Sequence, residues 1–496
     1  MRADQAFEWY AGALSLGGLH HLAELIALYV RGGDLVLLEG DLGAGKSTFA
    51  RALIRAVAGN ETEEAPSPTF ALVQSYDTPR LAIHHFDLYR LSGPAEVREI
   101  GFAEALDSGL ALVEWPDRAD GLLPQDHLRV SLADAPDPDQ RIITLTGHGT
   151  FAERLAHIER VVSFIAANGW GAARVTHVAG DASRRSYARL HGHGGSCLLM
   201  DSPPLPPGPA VRDGKPYWAI ARSAPDVHPF ITVAAELRGY GYSVPAILAR
   251  DELAGLLLIE DFGDRTFGAA ISAGTPMREL YQAATDVLVD LSRRPAPGFL
   301  PPFDEGALLI EVGLLIDWYW PHVTGGPPPQ NVADEFAALW RRAIAPLANH
   351  PREWVLRDVH SPNLLWLPER EGLRRAGLID FQDAMAGSSA YDLASLLQDA
   401  RIDITESLER ELLSHYLGQR TIRDANFDQP AFRSHYALMG AQRNTKLLGI
   451  FVRLAKRDGK PAYLRLLPRI QRYLARNLAD PALADLRDWY ARNLPA

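Results

Sequence analysis

The sequence predicts an α/β domain over residues 1–149 followed by a bilobal α+β domain over residues 150–496, with a small lobe near 150–262 and a helical large lobe near 263–496. Three observations carry this expectation. Residues 40–47 read Gly-Asp-Leu-Gly-Ala-Gly-Lys-Ser, between the apolar run Leu35–Leu38 and a helix-compatible stretch, Thr48–Ala58. Much later, Arg357-Asp358-Val-His360-Ser-Pro-Asn363 is followed by Asp380 at the end of a second apolar run. Between them the pattern changes from short strands alternating with helices to hairpin-like strands, and beyond Arg278 it becomes mostly helical.

Taken in order, residues 22–30 have helical spacing and stop at Gly32-Gly33, and the strand, glycine loop and helix follow. Two further apolar strands end in acids, Leu81–Asp87 and Leu110–Glu114; in an open parallel sheet the carboxyl ends of strands line the ligand crevice. Strands near 128–132 and 141–146, separated by a Pro- and Asp-rich turn, complete the first domain. A helix over Phe151–Asn168 opens the second, and strands follow from Ala173 to Met200. Residues 202–209, with five prolines, read as a rigid loop, and breaks at 295–302 and 327–329 divide the later helices.

Composition sets limits on function. At 496 residues the chain exceeds one ordinary core, and length alone suggests about three domains. A net charge of −11 argues against a general nucleic-acid coat, so any RNA role would act through a partner protein. The single cysteine, Cys197, excludes an intramolecular disulfide and fits a reducing compartment and a buried strand position. With no long apolar run and no apolar leader, the expectation is a cytoplasmic protein without a membrane span.

The glycine loop is a nucleotide signature. Its backbone amides cradle phosphates, Lys46 neutralises their oxygens and the Ser47 hydroxyl ligates Mg²⁺. The candidate nucleotide contacts are therefore Leu42, Gly43, Ala44, Gly45, Lys46, Ser47 and Thr48. Lys46 is one of only five lysines in the chain and the sole one before Lys215, in a sequence that otherwise uses arginine. Hydrolysis of ATP also needs a metal ligand and a residue that positions water, and Asp87 and Glu114 are the candidates. The alternative for these acids is a strand cap or an ion pair with Arg90 or Arg118. His84 and His85 alternate along one strand and read as structural.

Residues 34–149 resemble the TsaE family, the ATPases of bacterial tRNA threonylcarbamoyladenosine synthesis. Five motifs in the same order carry the resemblance: residues 39–48, Ser67-Pro-Thr-Phe70, His85-Phe-Asp-Leu-Tyr-Arg90, Ile100-Gly-Phe102 and Glu114-Trp-Pro116. The resemblance implies an ATPase that works with TsaB/TsaD-type proteins, and through them on A37 of tRNA. It also implies a switch-like loop at Ser67–Phe70, with Thr69 near the γ-phosphate. Ser47 stands where the family more often has threonine, a change that keeps the hydroxyl.

The second signature has the spacing of a kinase catalytic loop. Asp358 would accept the proton of a substrate hydroxyl, and Asn363 and Asp380 would ligate Mg²⁺ against ATP. His360, two residues after the aspartate, points to the protein-kinase-like aminoglycoside phosphotransferase superfamily. Residues 151–496 resemble the AmgK family of anomeric N-acetylmuramate and N-acetylglucosamine kinases, through Gly180–Arg189, Leu199–Pro204, Leu257–Gly263, Tyr391-Asp-Leu-Ala394 and Gln442–Phe451. The resemblance implies a phosphate-covering turn with Ser183 and Arg184, and Glu260 in the hinge beside adenine. Neither this chain nor that family carries the small-lobe lysine of most kinases, leaving Arg184, Arg185 or Arg189 as its replacement.

For the amino sugar, Asp317 and Trp318 offer a carboxylate beside aromatic rings, against the alternative of a buried aromatic helix face. Arg443 is a further substrate candidate, and Asp392 reads as an acid that orients the catalytic loop. Two other readings stay open at this level. The second domain would be a kinase for an aminoglycoside, choline or homoserine, or the whole chain would be a nucleotide-gated regulatory protein.

Overall fold

A computed structural model of the chain describes residues 6–119, 121–178, 185–206 and 208–495. It resolves into two compact units. The first comprises Met1–Ser202 with Leu248–Asp261, and the second comprises Pro203–Ile247 with Phe262–Ala496.

The first unit opens with a strand that the sequence reading lacked, β1 (Ala6–Ser15), followed by helix α1 (Leu16–Ala27). In β1, Trp9 is buried and Phe7, Ala11 and Leu14 pack partly buried against the same core, so the strand turns one apolar face inward. It exists because its backbone pairs antiparallel with a distant segment, Ala6 opposite His148 and Ser15 opposite Gln140. Ser15 then caps α1 by accepting a bond from the amide of Gly18 at 3.3 Å, which starts the helix earlier than its apolar spacing suggested.

The chain continues through β2 (Leu35–Glu39), α2 (Lys46–Ala58), β3 (Val73–Asp77), β4 (Ala82–Asp87), α3 (Pro94–Glu99), α4 (Phe102–Ser108), β5 (Leu110–Glu114), β6 (His127–Asp134) and β7 (Gln140–His148). The seven strands form one sheet in the order β1-β7-β6-β2-β5-β4-β3. Its centre, β6, β2, β5 and β4, is parallel, while β7, β1 and β3 pair antiparallel at the flanks. Strand β2 is apolar throughout because both its faces are covered: Val36 and Leu38 enter one core with Phe49 and Leu53, while Leu35 and Leu37 enter another with Phe86 and Phe102.

Helix α5 (Thr150–Ala167) then joins two cores within this unit. Phe151, Leu155 and Ile158 pack against the seven-stranded sheet, while Val161 and Ile165 pack against a second sheet. Each such side chain stabilises the fold by roughly 1.5–3 kcal/mol when fully buried. The second sheet contains β8 (Arg174–Val178), β9 (Ser186–Gly192) and β10 (Gly195–Asp201), and is completed by strands Ile247–Asp251 and Leu256–Glu260. Cys197 is a buried residue of β10, and burial pushes its thiol up to about 12.

The second unit is dominated by helices, among them Met277–Leu291, Glu305–Leu314, Gln330–Ile344, Ala390–Leu397, Glu406–Arg423, Gln429–Arg457 and Leu467–Leu478. The π-helical turn Leu315–Tyr319 follows Glu305–Leu314 and places Leu314 against the long helix Gln429–Arg457 at Gly449. A Cβ on Gly449 would lie 2.3 Å from the carbonyl carbon and oxygen of Leu314. Among the described residues no helix is long and apolar enough to cross a membrane. Because backbone blocks that position, Gly449→Ala is expected to destabilise the second unit by about 1–3 kcal/mol, read as a lower urea midpoint with an unchanged slope.

Candidate active sites

The glycine loop lies between β2 and α2, at the carboxyl edge of the parallel strands. Gly40, at φ 139°, passes so close to β6 that a Cβ would sit 2.3 Å from the carbonyl oxygen of Leu132. Gly45 reaches φ 104° to enter α2, the left-handed conformation that glycine tolerates. Lys46 is 5% exposed and donates to the carbonyls of Gly40 at 2.7 Å and Asp41 at 2.8 Å. Its ammonium also lies 3.8 Å from the centroid of the Trp115 ring. Burial pulls the Lys46 pKa down, and Glu114, Asp87 and Asp41 oppose that pull.

Both predicted acids stand at this loop, held by hydroxyls. Ser47 Oγ donates to Glu114 Oε2 at 2.9 Å, and Thr69 Oγ1 donates to Asp87 Oδ2 at 2.8 Å. Ser67 Oγ lies 2.9 Å from Thr69 Oγ1 and 3.5 Å from Ser47 Oγ, so the Ser67–Phe70 loop touches both acids through one hydroxyl chain. Neither acid is ion-paired with Arg90 or Arg118; Arg90 instead lies over the Phe70 ring. His85 is buried, and its Nε2 is bonded to Glu114 Oε1 at 2.9 Å. His84 faces the other way, toward Ser75 and Ser108. The strand alternation had correctly implied that only one of the pair faces the site; what it lacked was the parallel register that places His85 opposite Leu112, two residues before Glu114.

In the second unit, Asp358, Asn363 and Asp380 line one small cleft. Asn363 Nδ2 donates to the carbonyl of Asp358 at 3.0 Å and to Asp380 Oδ2 at 3.2 Å, and Gln382 Nε2 donates to Asp380 Oδ1 at 2.8 Å. Arg357 and Asp380 both adopt positive φ, 75° and 61°, a strained conformation for residues with a Cβ. Asp392 helps hold that loop: it accepts the amides of Leu356 at 2.6 Å and Arg357 at 2.8 Å, the structural role expected of it. Asp399 accepts the Ser361 amide at 2.6 Å.

Beneath the loop lies a buried charge cluster. Glu311, the single acid in the apolar stretch Ala307–Val312, is fully buried and bonded to the Arg357 guanidinium, to Lys446 Nζ at 3.0 Å and to Gln442 Nε2 at 3.0 Å. Lys446 is thus a partner within the core. Arg443 is 3% exposed, and its Nε and Nη1 are buried without a hydrogen-bond partner in the protein. Burial alone would raise the Asp358 pKa, but Lys446, His360, Arg357 and Arg443 outweigh it and hold the carboxyl below its ordinary range. Burial pulls His360 down to about 4, so it is neutral at neutral pH.

Ser183 and Arg184 lie outside the described residues. Glu260 ends its strand half-buried, opposite Cys197. Arg189 is bonded bidentately to Asp261, at 2.7 and 3.1 Å. Asp317 is exposed on the π-helical turn with Trp318 half-buried beside it, whereas Tyr319 and Trp320 are core residues, so the aromatic run is partly the buried face that was its alternative. Among the described residues no cluster of three or more His, Cys, Asp or Glu could hold a metal. The oxygen sets at hand, Ser47 with Glu114 and Asn363 with Asp380, suit a hard cation completed by phosphate oxygens and water.

Comparison with known proteins matches these two constellations to two separate families. Residues 15–143 match the model of the threonylcarbamoyl adenosine biosynthesis protein TsaE, and residues 174–432 match that of the phosphotransferase enzyme family. An N-acetylmuramate/N-acetylglucosamine kinase of Caulobacter vibrioides is 38% identical over 357 residues, covering 67% of this chain and 95% of that protein. A TsaE protein of Rickettsia felis is 43% identical over 124 residues, covering 25% of this chain and 71% of that protein. Among solved structures, a choline/ethanolamine kinase family protein of Mesorhizobium loti matches at 17% identity with a TM-score of 0.42, covering 67% of this chain and 99% of that one.

Two predictions follow from the packing around the sites. Glu311→Ala would leave Arg357 and Lys446 buried without their counter-charge and is expected to cost about 3–5 kcal/mol in equilibrium unfolding. His85→Ala is expected to lower phosphate-loop ATP hydrolysis by about tenfold, with His85→Gln restoring most of it, because Gln can still reach Glu114; equal losses in both variants would refute a positioning role.

Proposed function

Because the chain belongs to the TsaE family in its first part and, in its second, to the phosphotransferase enzyme family alongside the N-acetylmuramate/N-acetylglucosamine kinases, we propose that it is a bifunctional ATP-using enzyme. The first activity is ATP hydrolysis that supports N6-threonylcarbamoyladenosine formation at A37 of tRNA, together with TsaB/TsaD-type proteins. The second is transfer of phosphate from ATP to the anomeric hydroxyl of N-acetylmuramate or N-acetylglucosamine, in cytoplasmic cell-wall recycling. The observation that carries this reading is the presence of two independent oxygen-donor sets, one at a glycine loop and one at a catalytic loop.

In the first site, the amides of residues 42–48 and the Lys46 ammonium bind the phosphates, Ser47 and Glu114 hold the cation, and Asp87 and Glu114 orient water. Trp115 and the carbonyls of Gly40 and Asp41 hold the Lys46 ammonium at the loop. In the second site, Asp358 accepts the proton of the sugar hydroxyl, its carboxyl kept ionised by the surrounding cations. Asn363 and Asp380 hold the cation, which when bound neutralises the phosphate charge. Arg443, with two unpartnered nitrogens, presents a cation to the substrate. Ser183, Arg184 and Glu260 take the nucleotide, and Asp317 and Trp318 contact the sugar.

The two activities are separable by single substitutions. Asp358→Asn should abolish amino sugar phosphorylation, by at least about 10³-fold, while leaving phosphate-loop hydrolysis intact, and Lys46→Ala should do the reverse. Coupled assays with both amino sugars, and nucleotide-dependent pull-down of TsaB/TsaD proteins, provide the readouts. Absence of turnover with either sugar removes the kinase assignment, and absence of nucleotide-dependent association removes the other.

A further inference from the structure

A cavity of about 880 Å³ opens inside the first unit, lined by α1, α2 from Thr48 onward, the segment around Arg80 and β8. Its size falls within the roughly 300–1,000 Å³ typical of small-molecule sites. One wall is apolar, with Leu16, Ala52, Val57 and Val175, and the rest is rich in cations: Arg51 and Arg55 from α2, Arg80, Arg174, and the imidazoles of His20 and His177.

The cations outnumber the acids available to neutralise them. Glu61 is paired with Arg174, and Glu24 accepts the Val175 amide at 2.8 Å. Arg51 and Arg55 spend their Nε atoms on the carbonyls of Ala65 at 3.2 Å and Glu63 at 3.0 Å, and neither forms an ion pair. Arg80 donates one nitrogen to the Val30 carbonyl at 2.6 Å, and its Nη1 is buried without a partner. Burial, and after it the charges of Arg55 and Arg51, lower the pKa of His20, and burial and then Arg80 lower that of His177.

We propose that this cavity is a binding site for a phosphorylated small molecule with an apolar or ring-shaped body, such as a sugar phosphate. The guanidiniums of Arg51, Arg55 and Arg80 take the phosphate, since the planar fork of arginine matches its oxygens. The apolar wall takes the body of the ligand. The site adjoins the glycine loop, since Thr48 lines it too, and filling the nucleotide sites before the measurement distinguishes the two. Its contact with α2 places it on the helix whose first residues are Lys46 and Ser47.

The test uses the full chain, saturated with Mg²⁺ and a non-hydrolysable ATP analogue so that both nucleotide sites are filled. Calorimetry then follows glucose 6-phosphate and, separately, inorganic phosphate. The expected result is saturable one-site binding of glucose 6-phosphate, weaker binding of inorganic phosphate, and loss of affinity by about tenfold or more in Arg51→Ala/Arg55→Ala. Arg51→Lys/Arg55→Lys should recover much of the loss, because charge is retained. Since the alanine pair also removes two bonds to backbone carbonyls, His177→Glu on an exposed strand position serves as a second variant and should weaken binding similarly. No saturable binding, or equal affinity in His177→Glu and the wild type, overturns the site. Equal affinity for the two probes overturns the assignment to an organic phosphate.

Discussion

A buried carboxylate, Glu311, sets the geometry of the second unit. It has no access to water, so its charge is tolerable only with Arg357 and Lys446 against it. That requirement ties three distant segments together: the helix Glu305–Leu314, the loop at 357 and the helix Gln429–Arg457. The catalytic loop inherits the constraint, because Arg357 is both the counter-ion and the residue at φ 75° beside Asp358. Asp392 fixes the same point from another side through two backbone amides. A strained backbone persists where its surroundings determine it from several directions, and here they do.

The two sites solve one electrostatic problem with different materials. In the first unit the glycine loop presents backbone, shaped by glycines that let the chain pass close to β6, and a single lysine adds positive charge. In the second, a loop acid is held below its ordinary range because cations lie around it. Both set one polar side chain beside an acid supplied from farther along the chain: Ser47 beside Glu114, and Asn363 beside Asp380. The hydroxyl chain from Ser47 through Ser67 and Thr69 to Asp87 gives the first site a continuity that the second lacks.

Helix α5 shows why the first unit extends past the seven-stranded sheet. Its apolar residues recur at helical spacing, so one stripe serves two sheets in succession. Polar bonds reinforce the junction within that unit: Tyr29 Oη and His157 Nε2 each lie 2.7 Å from Asp201 Oδ2, and Arg154 pairs with Asp34. The basic cavity of the same unit is lined by residues from α1, α2 and β8.

The motif residues were legible because their chemistry depends on short spacing. Gly40–Ser47 and Asp358–Asn363 are local patterns, and the acids Asp87 and Glu114 were found from the rule that strand ends line the crevice. The apolar strands β2 and β5 were equally plain, since burial on both faces leaves a continuous run. Strand β1 was not read: Phe7, Trp9 and Ala11 alternate toward the core, but a bulge between Tyr10 and Gly12 shifts the register before Leu14. The partners of His85, Glu311 and Lys446 also lay beyond reach. Each contact joins residues separated by 29 or more positions, and sequence spacing carries no distance at that range. The sequence by itself therefore determined where two short motifs lie, a glycine loop at 40–47 and a kinase-like loop at 357–363, because each is a local pattern. Tertiary structure alone decided which buried groups fix those loops, because a charge removed from water must find its partner wherever the fold supplies one.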